Sequence, residues 1–233
     1  MIKLKDILNE GVYDPGIFKA VFTAGGPGSG KSFAASTLFG MPENTPTVSG
    51  DGLKSVNSDA AFEKYLTKAS LSHDVSSLSK DDHAKAMDLR DKAKSATRSR
   101  MLNYINGKLG MIIDGTGKNY GKISKMVTSL RKEGYDCYMI FVNTSLEVAL
   151  ERNRKRSRKL PDELVRKGWS AVQKNMGAFQ SLFGSSNMLI VDNSTYKEFP
   201  KVVKKSAAKF VSKPIKNTLA KKWIAKELQL RKS

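Results

Sequence analysis

Short apolar runs alternate with longer stretches of helical period along most of the chain. Lys19–Ala24 is apolar and ends in a cluster of glycines, which predicts a buried strand, and Lys31–Phe39 predicts the helix after it. Residues 40–46 read as a loop from their Gly, Pro and Asn content, and 53–57 as a second strand. Asp59 opens a helix carrying Phe62, Tyr65 and Leu66. The stretch 70–79 is polar and loop-like. Ser79, with Asp82 three residues on, marks the capped start of a long polar helix that runs to about Asn106. Residues 110–114 predict a strand ending in an acid, Tyr120–Lys132 a helix, and 137–142 another strand. Leu146 to about Lys155 reads as a helix entering a run of arginines. Pro161 breaks the chain, and Asp162 and Glu163 open the next helix. Met188–Asp192 predicts the last strand, and beyond Pro200 the chain is basic and helical.

Short apolar strands alternating with helices predict an α/β fold, a parallel sheet covered by helices on both faces. The length, 233 residues, suits one such domain over residues 1–200 with a short helical extension over 201–233. Ligands of such sheets sit at the carboxyl ends of the strands. Three chemically suggestive clusters, after Ala24, Asn57 and Ile113, fall at such ends.

The first cluster is Gly25, Gly26, Pro27, Gly28, Ser29, Gly30, Lys31 and Ser32, which matches the phosphate-binding pattern G-x-x-x-x-G-K-[ST] at every position. Its glycines let successive backbone N–H groups curl around an anion, and the helix that starts there points its positive end at the same place. Lys31 is expected to reach the β- and γ-phosphates of a nucleotide, and the Ser32 hydroxyl to ligate Mg²⁺. Asp114 ends its apolar strand as a second Mg²⁺ ligand, held directly or through water. An N-K-x-D guanine-reading sequence is absent, which points to ATP rather than GTP, and no second acid follows Asp114, which favours transfer to a bound acceptor over hydrolysis.

With Asn57-Ser58-Asp59 after the second strand, Asp114-Gly115-Thr116-Gly117 after the third, and the arginine-rich stretch 151–161, the arrangement over about residues 19–192 resembles the P-loop kinases of the zeta-toxin and polynucleotide-kinase group. The resemblance implies a three-layer P-loop NTPase sandwich with a mainly parallel sheet and a helical lid. It implies a general base at Asp59 for an acceptor hydroxyl, a role for which Asp51 in the turn Gly50-Asp51-Gly52 is the rival; the plainer role for Asp59 is a helix cap. It makes the arginine run a lid that meets the moving phosphoryl group. On a continuous helix Arg152 and Arg156 share one face, and Arg154 and Arg158 another; the first pair is preferred. The stretch 42–52 reads as an insertion, and 70–100 matches no substrate site of that group.

Charge adds one element. The formal net charge is +19, and residues 201–233 carry eleven Lys and Arg against the single acid Glu227. Ile215, Leu219, Trp223, Ile224 and Leu228 recur there near helical spacing, so the tail reads as an amphipathic helix packed on the domain, holding a polyanion such as nucleic acid, or lying on a membrane surface. The lone Cys137 sits in an apolar run, and with two histidines in polar surroundings there is no zinc pattern. No run is long enough to span a membrane, and the expected setting is a reducing cytoplasm. These readings converge on a kinase that moves the γ-phosphoryl of ATP to a hydroxyl, on a nucleotide sugar or a polynucleotide. The alternatives are a nucleic-acid-binding ATPase without a small acceptor and a non-catalytic nucleotide-dependent module.

Overall fold

The computed structural model describes residues 11–41, 48–156, 159–195 and 198–231. The strands are β1 (Lys19–Ala24), β2 (Lys54–Val56), β3 (Met111–Asp114), β4 (Asp136–Asn143) and β5 (Met188–Asp192), in the sheet order β2-β3-β1-β4-β5. Every pairing between them is parallel. The helices are α1 (Lys31–Phe39), α2 (Asp59–Lys68), α3 (Lys80–Asn106), α4 (Tyr120–Lys132), α5 (Leu146–Lys155), α6 (Asp162–Phe183), α7 (Lys201–Ser212) and α8 (Thr218–Leu230).

β1 lies at the centre and is buried along its whole length. Successive side chains of a strand point to opposite faces, so its residues feed two separate cores. Ala20, Phe22 and Ala24 pack with Ile123, Val127 and Leu130 of α4, with Val172, Phe179 and Phe183 of α6, and with Ala220 of α8. Val21 packs on the other side with Ala34, Leu38 and Phe39 of α1 and Ala207, Phe210 and Val211 of α7. This is the three-layer α/β sandwich expected from the alternation of runs. A third, smaller core joins Phe62 and Leu66 of α2 to Ala86 and Ala93 of α3, so these two helices form a side unit between β2 and β3.

Local signals account for the helix starts. The Ser79 hydroxyl accepts the Asp82 N–H at 3.2 Å, and Asn119 accepts the Lys122 N–H at 2.9 Å. α1 follows Gly30 with no side-chain cap, as α2, α6 and α7 also begin without one. β2 is shorter than the run 53–57, because Leu53 belongs to the turn before it, where its N–H is donated to Ser49 Oγ at 3.0 Å. Of the loop expected at 40–46, residues 42–46 lie outside the described residues. Among the described residues no helix is long and apolar enough to cross a membrane.

The basic tail closes the fold. It covers one face as α7, rounds the amino edge of the sheet at 213–217, and continues on the other face as α8. At the crossing, Lys19 is 1% exposed and donates from Nζ to the Lys213 carbonyl at 2.6 Å and the Tyr138 hydroxyl at 3.4 Å, with the Asp136 carboxylate at 3.7 Å. Burial pushes the Lys19 pKa down, against the pull of Asp136. Asp136 also accepts the N–H groups of Lys216 at 2.7 Å and Asn217 at 3.1 Å. Ile215, Trp223 and Ile224 pack on the core as the spacing suggested, whereas Leu219 of the same stripe is exposed.

Candidate active site

The glycine loop leaves β1 at the carboxyl edge of the sheet and turns directly into α1. Gly28 and Gly30 have φ of +77° and +84°, a region that side chains strongly disfavour. They also have no room for one. A Cβ on Gly28 would sit 2.3 Å from the Ala149 carbonyl oxygen of α5, and one on Gly30 would sit 2.2 Å from Asn193 Nδ2. The loop is thus pressed between α5 and the end of β5. The open amino end of α1 leaves its first N–H groups for an anion.

Lys31 Nζ donates to the Gly25 carbonyl at 3.0 Å and the Gly26 carbonyl at 3.5 Å, folded back over the loop. Exclusion of water lowers its pKa from the ordinary lysine value; Asp114 and Asp59 pull it up, and Arg156 and Lys118 push it down. Asp114 accepts from the Thr23 hydroxyl at 2.8 Å and from Asn57 Nδ2 at 3.1 Å. The other end of the Asn57 amide accepts the Asp59 N–H at 2.8 Å, so one side chain holds both acids in register. Ser32 lies on the first turn of α1 and is exposed.

The rival acid sits elsewhere. Asp51 precedes β2 rather than following it, and shares a cavity with Ile17 and Lys19 at the start of β1. In a parallel sheet that is the edge opposite the glycine loop.

The arginine run departs from its helical pattern. α5 stops at Lys155, and Arg156 has the extended backbone angles φ −77°, ψ 149°, so Arg152 and Arg156 do not share one helix face. Arg152 is buried on α5, with its guanidinium 3.7 Å from where a Cβ on Gly30 would lie, while Arg156 is exposed beyond the helix end. Arg154 is exposed and paired with Asp162, and Arg158 lies outside the described residues. Asn153 closes the turn between α5 and α6, donating to the Leu160 carbonyl at 2.7 Å and accepting the Leu160 N–H at 3.1 Å.

Several residues of the site carried no signal in the sequence reading. Lys118 runs across Gly168 of α6, where a Cβ would meet its Nζ at 2.7 Å and Pro27 Cδ at 3.0 Å. Asn175 holds the Lys118 segment by donating to the Gly117 and Lys118 carbonyls at 2.8 and 3.0 Å. A cation four residues beyond Asp114, in the same strand-end loop, was the available hint. Asn193 had none.

Five parallel strands in this order, with a lysine-bearing glycine cradle at the carboxyl edge, define a P-loop α/β domain. The family model described as an AAA domain matches residues 21–178, and the chain belongs to that family. No curated protein matches it in sequence. Among solved structures, the Pnkp1/Rnl/Hen1 RNA repair complex is similar over 69% of this chain and 46% of its own, at 18% identity and a TM-score of 0.49. The AvrRxo1-ORF1:AvrRxo1-ORF2 structure is similar over 76% and 55%, at 13% identity and a TM-score of 0.53. The PezAT toxin–antitoxin system of Streptococcus pneumoniae is similar over 91% and 86%, at 14% identity and a TM-score of 0.49. The chain spans about half the length of the first two.

Proposed function

We propose that this protein is an ATP-dependent phosphotransferase that moves the γ-phosphoryl group to a hydroxyl acceptor, on a nucleotide sugar or a polynucleotide. The observation that carries this reading is the gathering at one glycine cradle of Lys31 folded over its carbonyls, Asp114 and Asp59 joined through Asn57, and Lys118 beside Pro27. Phosphoryl transfer needs those parts: donors for the transferred oxygens, a metal-holding oxygen, and a proton acceptor for the attacking hydroxyl.

The backbone of residues 25–32 cradles the β-phosphate, and Lys31 leaves its carbonyl partners to reach the β- and γ-phosphates. Asp59, held beside Asp114 through Asn57, takes the proton of the acceptor hydroxyl. The attacking oxygen then forms its bond to the γ-phosphorus as the bond to the β,γ-bridging oxygen breaks. Arg156 and Arg152 offset the charge on the equatorial oxygens. Ser32 and Asp114 offer a hydroxyl and a carboxylate, an all-oxygen pair that would hold Mg²⁺. When bound, Mg²⁺ neutralises the β- and γ-oxygens. Among the described residues no cluster of three or more His, Cys, Asp or Glu offers a rival metal site.

A polynucleotide acceptor is supported by the basic surface, since Lys201, Lys205 and Lys209 recur every four residues along α7 and are all exposed. The test is incubation with γ-labelled ATP and separate pools of nucleotide sugars, nucleosides, and DNA or RNA with free hydroxyl ends. Label appearing in one pool, with negligible phosphate release in its absence, is the expected result. Steady ATP hydrolysis that no pool diverts would replace this reading with a nucleic-acid-stimulated or free ATPase.

A further inference from the structure

Asn193 is the first residue beyond β5 and is 2% exposed. Its own N–H is donated to the Asn143 carbonyl at 2.9 Å, and its carbonyl accepts the Thr144 hydroxyl at 3.4 Å, so it is anchored to the end of β4. From that anchor Nδ2 donates to the Ser29 carbonyl at 2.8 Å, across 164 residues of chain. A carbonyl can only accept, so the nitrogen end of the amide must be the one that faces it.

The contact has a consequence for the cradle. An anion cradle works only if its N–H groups point inward, which turns the carbonyls of the same peptide units outward. A peptide unit is planar and trans, so its C=O and N–H point in opposite directions. The Ser29 carbonyl and the Gly30 N–H belong to one such unit. Holding the carbonyl against Asn193 therefore aims the Gly30 N–H away from β5 and into the cradle. Gly30, in the left-handed region without a Cβ, has no steric barrier of its own to hold that peptide in place. Without the amide, the Ser29 carbonyl would be a buried acceptor lacking a partner, and rotation of the peptide toward solvent would relieve it.

We infer that Asn193 is a positioning residue for the nucleotide: it holds the Ser29–Gly30 peptide so that the Gly30 N–H donates to the β-phosphate. The inference rests on the proposed nucleotide site. The contact lies within the protein and touches no transferred atom, so it contributes to binding in ground state and transition state alike.

The test compares the wild type with Asn193→Ala and with the near-isosteric Asn193→Asp, which cannot donate when ionised. Thermal unfolding and calorimetric titration with Mg-ADP and with adenosine are measured well below the melting temperatures. The expected result is a loss of ADP affinity of about 5- to 100-fold in both variants, the range for an unmet buried acceptor, with adenosine affinity unchanged. A merely structural asparagine would lower the melting temperature and leave the ratio of ADP to adenosine affinity where it was; that outcome overturns the inference. Should neither variant fold, hydrogen exchange on the wild type decides. Mg-ADP should slow exchange at residues 193–194 together with 25–32, and protection of 25–32 alone would refute the coupling. A wild type that binds no ADP refutes the nucleotide site itself, a failure distinct from the other two.

Discussion

Gly28→Ala probes the packing of the glycine loop on α5. The added Cβ would lie 2.3 Å from the Ala149 carbonyl oxygen and 3.0 Å from the Ala149 carbonyl carbon and Cα, all of them backbone atoms of a helix. A carbon and a carbonyl oxygen rest at about 3.3 Å or more, so loop and helix must separate by about 1 Å. No rotamer change relieves this contact. Alanine at φ +77° adds about 1–2 kcal/mol of backbone strain, and overpacking of a well-filled site about 1–3 kcal/mol more. The sum, about 2–5 kcal/mol, corresponds to a fall in melting temperature of about 4–20 °C for a domain of this size. Gly177→Ala is the control. It lies within α6 with nothing inside 4 Å of the new methyl, and it should raise stability by about 0.5–1 kcal/mol. Scanning calorimetry of the two variants with and without Mg-ADP reads both effects, and Gly28→Ala should also lose the stabilisation that ADP gives the wild type. If Gly28→Ala melts with the wild type and responds to ADP normally, the loop does not rest on α5 as described.

Lys31→Ala should abolish most ATP affinity or turnover, checked by calorimetry and labelled transfer, because no other loop side chain supplies positive charge at the β,γ-bridge. Asp59→Asn should keep ATP binding and lose at least ~10²-fold in transfer, while Asp51→Asn at the opposite edge should leave transfer intact; the reverse result would move the base. Arg156→Ala should lower kcat more than it weakens ATP binding, and Arg154→Ala, which breaks only an exposed pair with Asp162, should change stability by less than about 1 kcal/mol. Changing Lys201, Lys205 and Lys209 together to Gln should leave the melting temperature unchanged and reduce the salt slope of DNA or RNA binding by up to about three; an unchanged slope would exclude α7 as the polyanion surface.

Elements with strong local punctuation were legible in the sequence. Tyr120–Lys132 and Leu146–Lys155 fall within the predicted bounds because a capping residue, an apolar period and a terminating change in composition agree there. The glycine loop was legible because its chemistry requires consecutive residues. Asp51 and Asp59 could not be separated by composition, since only the parallel direction of β2 says which end of the strand each occupies. The arginine pairs misled for a related reason: four-residue spacing implies a shared face only while the helix continues, and α5 stops one residue short of Arg156. Asn175 and Asn193 were silent because their partners lie 58 and 164 residues away, and an asparagine has no periodicity that announces a distant contact.

The strap of tail across the amino edge bears on how the chain is made. Lys19 opens the central strand, yet the carbonyl that accepts from its buried ammonium belongs to Lys213, 194 residues later. On the ribosome, the first half of the sheet emerges long before that partner exists. Until then Lys19 lacks that acceptor, and the apolar seats of Phe210 and Trp223 are uncovered. Closing so long a loop also comes at an entropic cost that local pairs do not bear. The central strand is thus the last to be sealed, and a nascent chain stalled before residue 213 would present an open sheet for chaperones or proteases to engage.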